Sequence, residues 1–141
     1  MPLDNIFGVA GTALNAQLTR MNATASNLAN ASSVSSTEAG AFRAKRTVFK
    51  ALVDDAMTHA GASYVGGVKV DHVKDDAAPI RRISDPTNPL ADAQGYVYQS
   101  NVSEVTEMVE MMAAGRSYQN NVEVINTARQ LMMRTLDITR S

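Results

Sequence analysis

The chain has 141 residues, enough for one ordinary domain, and carries a formal net charge of -1 with a pI of about 6.1. That balance excludes a strong electrostatic case for nucleic acid or an anionic membrane surface. Cysteine is absent, which excludes disulfides and thiolate metal or redox sites, and no apolar run is long enough to span a bilayer. Aromatic residues are only 5% of the chain, tryptophan is absent and methionine is plentiful at eight. Ala, Val, Leu and Met must therefore do most of the packing, which suits closely spaced helices better than a bulky core. The first residues, Met1-Pro2-Leu3-Asp4-Asn5, show no basic segment followed by a continuous apolar stretch, so a secretory signal peptide is not expected. The protein then stays in the cytoplasm or leaves by a route without a cleaved signal.

Ile6 to about Asn30 reads as the first helix. Phe7, Gly11, Leu14, Leu18, Met21, Ala25 and Leu28 follow steps of four and three, flanked by Ala10, Ala13 and Ala29. Asn15, Gln17, Arg20, Asn22 and Asn27 occupy the opposite face, which makes the helix amphipathic with a narrow, small-residue seam. Ala31 to Gly40 is rich in Ser and Thr, whose side chains favour local bonds to the backbone, and reads as a loop. Ala41 to Ala56 is mixed, with Phe42, Val48, Phe49, Leu52 and Val53 apolar and Arg43, Lys45, Arg46 and Lys50 between them. A strand through Phe49 and a short helix both fit, and the basic residues suit a solvated or partner-facing surface.

From Gly61 the signal becomes β-like. Val68-Lys69-Val70-Asp71 alternates, Val73 and Ile80 to Ile83 continue, and Tyr96-Val97-Tyr98 follows Gly95. Asp85-Pro86 and Asn88-Pro89 are turn formers. Tyr64 to Tyr98 is expected to be a small β-containing insert between two helical arms.

Asn101 to about Thr139 predicts the second helix, free of proline and with one glycine, Gly115. Met108, Met111, Gly115, Tyr118, Val122, Ile125, Arg129, Met132 and Leu136 recur at steps of three and four, with Val124, Ala128, Leu131 and Ile138 beside them. Asn101 with Glu104 forms a capping-box-like pair. Glu104, Glu107 and Glu110 near one end and Arg129, Arg134 and Arg140 near the other complement the helix macrodipole. At 1.5 Å per residue the segment reaches roughly 55 Å, too long for the core of so small a globule. The two stripes suggest that the termini pair, giving a mainly α fold with a small β-containing insert and long terminal helices packed as a coiled-coil-like arm. An ordinary helical hairpin fits the same geometry.

Groups for chemistry are sparse. His59 and His72 sit in no metal-ligand pattern, and Asp54-Asp55 and Asp75-Asp76 read as solvated turns rather than acid–base pairs. No nucleophile elbow, P-loop or dinucleotide fingerprint occurs, so no catalytic, metal or cofactor residues are assigned and no cofactor is expected. The methionine stripe of Met108, Met111, Met112, Met132 and Met133 suits core packing; the alternative is an adaptable groove for a partner helix. An amphipathic membrane helix is opposed by Glu104, Glu107, Glu110 and Glu123, which would face an anionic leaflet.

Three blocks carry a resemblance. Ala25-Ser26-Asn27-Leu28-Ala29-Asn30-Ala31 resembles the N-terminal signature of flagellar rod, hook and related axial proteins. Pro89-Leu90-Ala91-Asp92-Ala93-Gln94-Gly95-Tyr96-Val97 with Asn101-Val102, and Arg116-Ser117-Tyr118-Gln119-Asn120-Asn121-Val122-Glu123-Val124-Ile125-Asn126-Thr127, are similar to the proximal-rod branch of that family. The loop after Asn30 departs from the family pattern in lacking proline, though Phe42-Arg43-Ala44-Lys45 keeps the aromatic-basic run that follows it. Residues 56–67 carry no part of the resemblance.

The resemblance implies a structural, non-enzymatic subunit of the rod, the drive shaft that crosses the periplasm and the peptidoglycan layer, exported by the flagellar type III apparatus. It implies that residues 1–30 and 101–141 pair as an inner, channel-side α domain, with 31–100 as loop and outward-facing insert. Phe7, Leu14, Leu18, Met21, Leu28, Tyr118, Gln119, Val122, Ile125, Met132 and Leu136 are then expected to form the assembly interface, with Asn27 and Asn30 serving the helix end and subunit contacts. Gly115 and Arg129 become candidates for close approach and cross-subunit pairing. Implied partners are copies of the chain, other rod proteins, the export apparatus and the membrane-embedded ring at the rod base, with no nucleic acid and no membrane span. The competing reading is a soluble coiled-coil adaptor or export chaperone with a Met-rich groove; an enzyme acting on peptidoglycan ranks behind both.

Overall fold

The computed structural model describes residues 2–52 and 66–140. Helix α1 spans Pro2–Ala29 (28 residues) and helix α2 spans Glu104–Arg140 (37 residues). Between them lie β1 (Val34–Ser35), β2 (Lys45–Ala51), β3 (Val68–Asp75), β4 (Arg81–Ser84) and β5 (Tyr96–Gln99). The fold is mainly α with a small β insert. The expectations for Asp54-Asp55, for His59 and for all of the 56–67 segment except Gly66 and Gly67 lie outside the described residues.

The chain divides into two compact units, one of residues 1–19, 48–72 and 113–141, the other of 20–47 and 73–112. In the second unit, β5 is the centre of a three-stranded antiparallel sheet ordered β1-β5-β4. Val34 stands opposite Gln99 on one side, and Arg82 and Ile83 stand opposite Tyr98 and Val97 on the other. Val97 is buried at this centre. Asp92 closes the β4–β5 connection, its Oδ1 accepting the backbone N–H groups of Gln94 and Tyr96, each at 2.9 Å. In the same unit Ala31, Ala44 and Val102 form a small core with Phe42 packed against it.

Two local expectations change here. The serine-rich loop contains β1, anchored where the Ser100 N–H donates to the Ser33 carbonyl (3.1 Å) and the Ser100 hydroxyl to the Ala31 carbonyl (2.9 Å). Helix α2 begins at Glu104, not Asn101, so the proposed capping box is not formed. Asn101 is used elsewhere: its Oδ1 accepts the Ala44 N–H (2.8 Å), and its Nδ2 donates to the carbonyls of Asp76 (3.2 Å) and Ala78 (2.9 Å). An amide that satisfies three backbone groups of neighbouring segments is no longer free to cap. Ser103 takes the N-cap position, its carbonyl accepting the Glu107 N–H and its hydroxyl the Thr106 hydroxyl.

Within the 41–56 stretch Lys45–Ala51 forms β2, which pairs with β3 in a separate two-stranded ribbon. In the first unit the base of this ribbon meets α1 through Gly67. Its φ of 134° is a conformation that residues with a Cβ rarely adopt, and a Cβ there would stand 2.8 Å from Thr12 Oγ1. The Leu52 N–H donates to the Gly67 carbonyl (3.0 Å), closing the ribbon, and the Val68 N–H donates to Thr12 Oγ1 (3.2 Å), joining ribbon to helix. In the same unit Asn5, Ile6, Val9 and Ala10 of α1 share a cleft with Asn121 and Val124 of α2.

Candidate assembly surface and the junction that orients it

Burial along α2 follows steps of four and three. Glu107, Met111, Ala114, Tyr118, Asn121, Ile125, Ala128 and Met132 are buried or half-buried in turn, as an inward-facing line on a helix requires. Four of these belong to the line read from apolar periodicity: Met111, Tyr118, Ile125 and Met132. The other four, Glu107, Ala114, Asn121 and Ala128, recur every seventh residue and each precedes an expected seam position. Of those expected positions, Met108 and Arg129 are exposed, while Gly115 and Val122 are half-buried. A Cβ added at Gly115 would meet nothing within 4 Å in this chain.

The remaining expected interface residues fall into two groups. Phe7, Leu14, Met21, Leu28 and Asn30 on or just after α1, and Val122 on α2, are half-buried; Leu18 (47% exposed), Gln119 and Leu136 face outward. Asn30 serves the helix end, its Nδ2 donating to the Ser26 carbonyl at 2.9 Å.

Asn27 is fully buried in the second unit. Its Oδ1 accepts the Lys45 N–H (2.7 Å), and its Nδ2 donates to the Lys45 carbonyl and to Glu107 Oε2, both at 2.9 Å. The amide thus treats Lys45 as a neighbouring strand would, satisfying both its backbone groups from the end of α1. Glu107 is also completely buried, and its other oxygen, Oε1, accepts Arg46 NH1 at 2.6 Å. Arg46 Nε reaches Asp76 Oδ2 (3.1 Å), and Lys45 Nζ pairs with Asp75 Oδ1 (2.5 Å). The adjacent carboxylates expected to face solvent from a turn are therefore each engaged by an adjacent base on β2. One turn along α2, Glu110 is paired with Arg20 of α1.

The electrostatics follow from these contacts. Burial opposes the Arg46 charge, but its hydrogen bonds to Asp76 and Glu107 outweigh that and raise its pKa above the ordinary arginine value. The Ala78 N–H, then the Arg46 guanidinium, hold the Asp76 carboxyl below the usual carboxylate range.

The consequence for α2 is a local inversion of polarity. In its first turns Glu107 is buried and Glu110 half-buried while Glu104 stays exposed, and Val105 (74% exposed), Met108 (54%), Val109 (55%) and Met112 (65%) form an apolar patch on the outside. Sequence reading attributed Glu104, Glu107 and Glu110 to the helix dipole and did not find the patch. Its signal was the spacing of 105, 108, 109 and 112, one helical face carrying only Val and Met. Elsewhere the surface offers little chemistry. His72 is exposed beside Asp71 (2.9 Å), and among the described residues no cluster of His, Asp or Glu is placed to hold a metal. No described helix is long and apolar enough to cross a membrane.

Comparison with known proteins covers the chain nearly end to end. Residues 7–35 match the family described as flagella basal body rod protein, and residues 93–138 match the C-terminal family of the flagellar basal body rod FlgEFG proteins. The flagellar basal-body rod protein FlgC of Salmonella typhimurium strain LT2 is 50% identical over 138 residues, covering 98% of each chain. The FlgC of Escherichia coli O6:H1 is 49% identical over the same length and coverage, and that of Buchnera aphidicola from Acyrthosiphon pisum is 43% identical over 141 residues, 99% of each chain. The chain belongs to the FlgC family of flagellar basal-body rod proteins. In FlgC terms, the Asn27 signature block lies inside the N-terminal match, and Glu107 with the apolar patch lies inside the C-terminal match.

Proposed function

We propose that this chain is a structural, non-enzymatic subunit of the proximal flagellar rod, entering the drive shaft through its two terminal helices. Membership of the FlgC family supports the rod role. The observation that carries the mode of assembly is the distribution of apolar side chains on α2: one line faces inward while Val105, Met108, Val109 and Met112 face out. Residues 1–30 and 101–141 form the inner, channel-side layer by coiled-coil-like pairing, and 31–100 faces outward. Tyr118, Ile125 and Met132, with Phe7, Leu14, Met21 and Leu28, contribute to packing within the subunit. Leu18, Gln119 and Leu136 meet neighbouring rod subunits, together with the α2 patch. Asn27 acts from inside by fixing the junction. Torque passes through the packed helices, because close-packed interiors are stiff. Copies of the chain and other rod proteins are the neighbours, the flagellar type III apparatus is the export route and the membrane-embedded ring is the contact at the rod base.

Fractionation tests this reading. The tagged full-length protein should accompany detergent-extracted basal bodies from motile cells, and its deletion should abolish the rod. Recovery in small cytosolic complexes, with rods intact in the deletion strain, would favour the adaptor or chaperone instead.

A further inference from the structure

The geometry points to Glu107 as a positioning residue that sets the rotation of α2 about its own axis and so keeps the Val105–Met112 patch outside. Hydrophobicity alone orients a helix the other way, with Val and Met inward and glutamates in water. Here Glu104 is in water as expected, but Glu107 is buried while Val105, Met108, Val109 and Met112 are outside, and this reversal coincides with the polar junction. Both carboxylate oxygens of Glu107 take donors from different elements, Asn27 of α1 on one and Arg46 of β2 on the other. Two bonds from two directions fix an orientation as one bond does not. Glu110 adds a second contact on the same side through Arg20, but that pair is partly exposed and screened. Asn27 and Arg46 are themselves held, by the Lys45 backbone and by Asp76, so the donors are in place whether or not α2 is docked on them.

The patch is thus held open by an internal ionic pin, and its occupant is a neighbouring rod subunit. That last step rests on the rod assignment; the orientation of α2 does not, and the two are separated by testing the pin on the free, full-length protein. Three methionines report the rotation. Met108 and Met112 lie on the outer face, and Met111 on the inward line, so peroxide should oxidise Met108 and Met112 several-fold faster than Met111. In Glu107→Leu the helix is released to bury the patch, and the order should invert, Met111 becoming the fastest of the three. Glu107→Gln retains one good acceptor and should keep the wild-type order. An unchanged order in Glu107→Leu overturns the proposal. If that variant is unfolded, with all three methionines oxidised alike, Arg46→Gln decides: a narrowed or inverted ratio supports the pin, and a wild-type ratio overturns it.

Discussion

Single residues in the junction tie three chain segments together, and each is used through more than one atom. Asp76 shows how this appears in bulk behaviour. Its carboxyl accepts the Ala78 N–H at one oxygen and Arg46 at the other, and both bonds favour the charged form. The folded protein therefore binds fewer protons at this site than the unfolded chain does, and the site's contribution is complete above the ordinary carboxylate pKa. It is lost as pH falls from about 4 towards the lower folded value. Asp76→Asn should accordingly lower stability at neutral pH and flatten the acid limb of a urea-stability profile, so that mutant and wild type converge at the acid end. Parallel curves down to the lowest pH would show that Asp76 is not linked to folding. Asn27 marks what residue-level reading reaches. Its place in a family block was plain, but that its amide stands in for a strand's backbone required knowing that Lys45 begins a strand beside it.

At the scale of elements, both helices and three of the strands were legible because each has a period of its own. The 41–56 stretch was not, since its basic and apolar residues fit a strand and a helix alike, and its resolution came from pairing with β3. Half of the inward line of α2 was displaced by one residue, for a physical reason. Periodicity ranks positions by hydrophobicity, whereas this line carries Glu107, Ala114, Asn121 and Ala128, which are small or held by hydrogen bonds. Energies of similar size explain why the choice could go either way. Burying one Val or Met side chain contributes about 1.5–3 kcal/mol, while removing one partner of a buried ion pair costs about 3–5 kcal/mol. The junction decides it. The two faces make separable predictions. Leu18 is on the outside, so Leu18→Asp should leave monomer stability within about 0.5 kcal/mol of wild type and still block rod assembly and motility. Ile125 is on the inward line, so Ile125→Asp should destabilise the monomer by roughly 1–3 kcal/mol as well as stopping motility. Chemical denaturation beside a swimming assay reads both; normal swimming in either mutant would remove that residue from the packing.

For the whole molecule, the central fact is that a small chain with few aromatics has, among the described residues, two helices that leave much of their apolar surface outside. A monomer with such a patch is poorly satisfied on its own, as exposed contiguous apolar surface usually marks a contact. The family models match residues 7–35 and 93–138, which take in most of both helices and also β1 and β5 of the insert. Membership of the FlgC family supplies a setting for such a contact, assembly with other flagellar rod components. A reconstruction of the intact basal body with side chains resolved tests this most directly. The account predicts that Val105, Met108, Val109 and Met112 are buried against neighbouring rod subunits while Glu107 keeps its bonds to Asn27 and Arg46. A rod in which that face of α2 lines open solvent, with subunits joined only through the β insert, would contradict it.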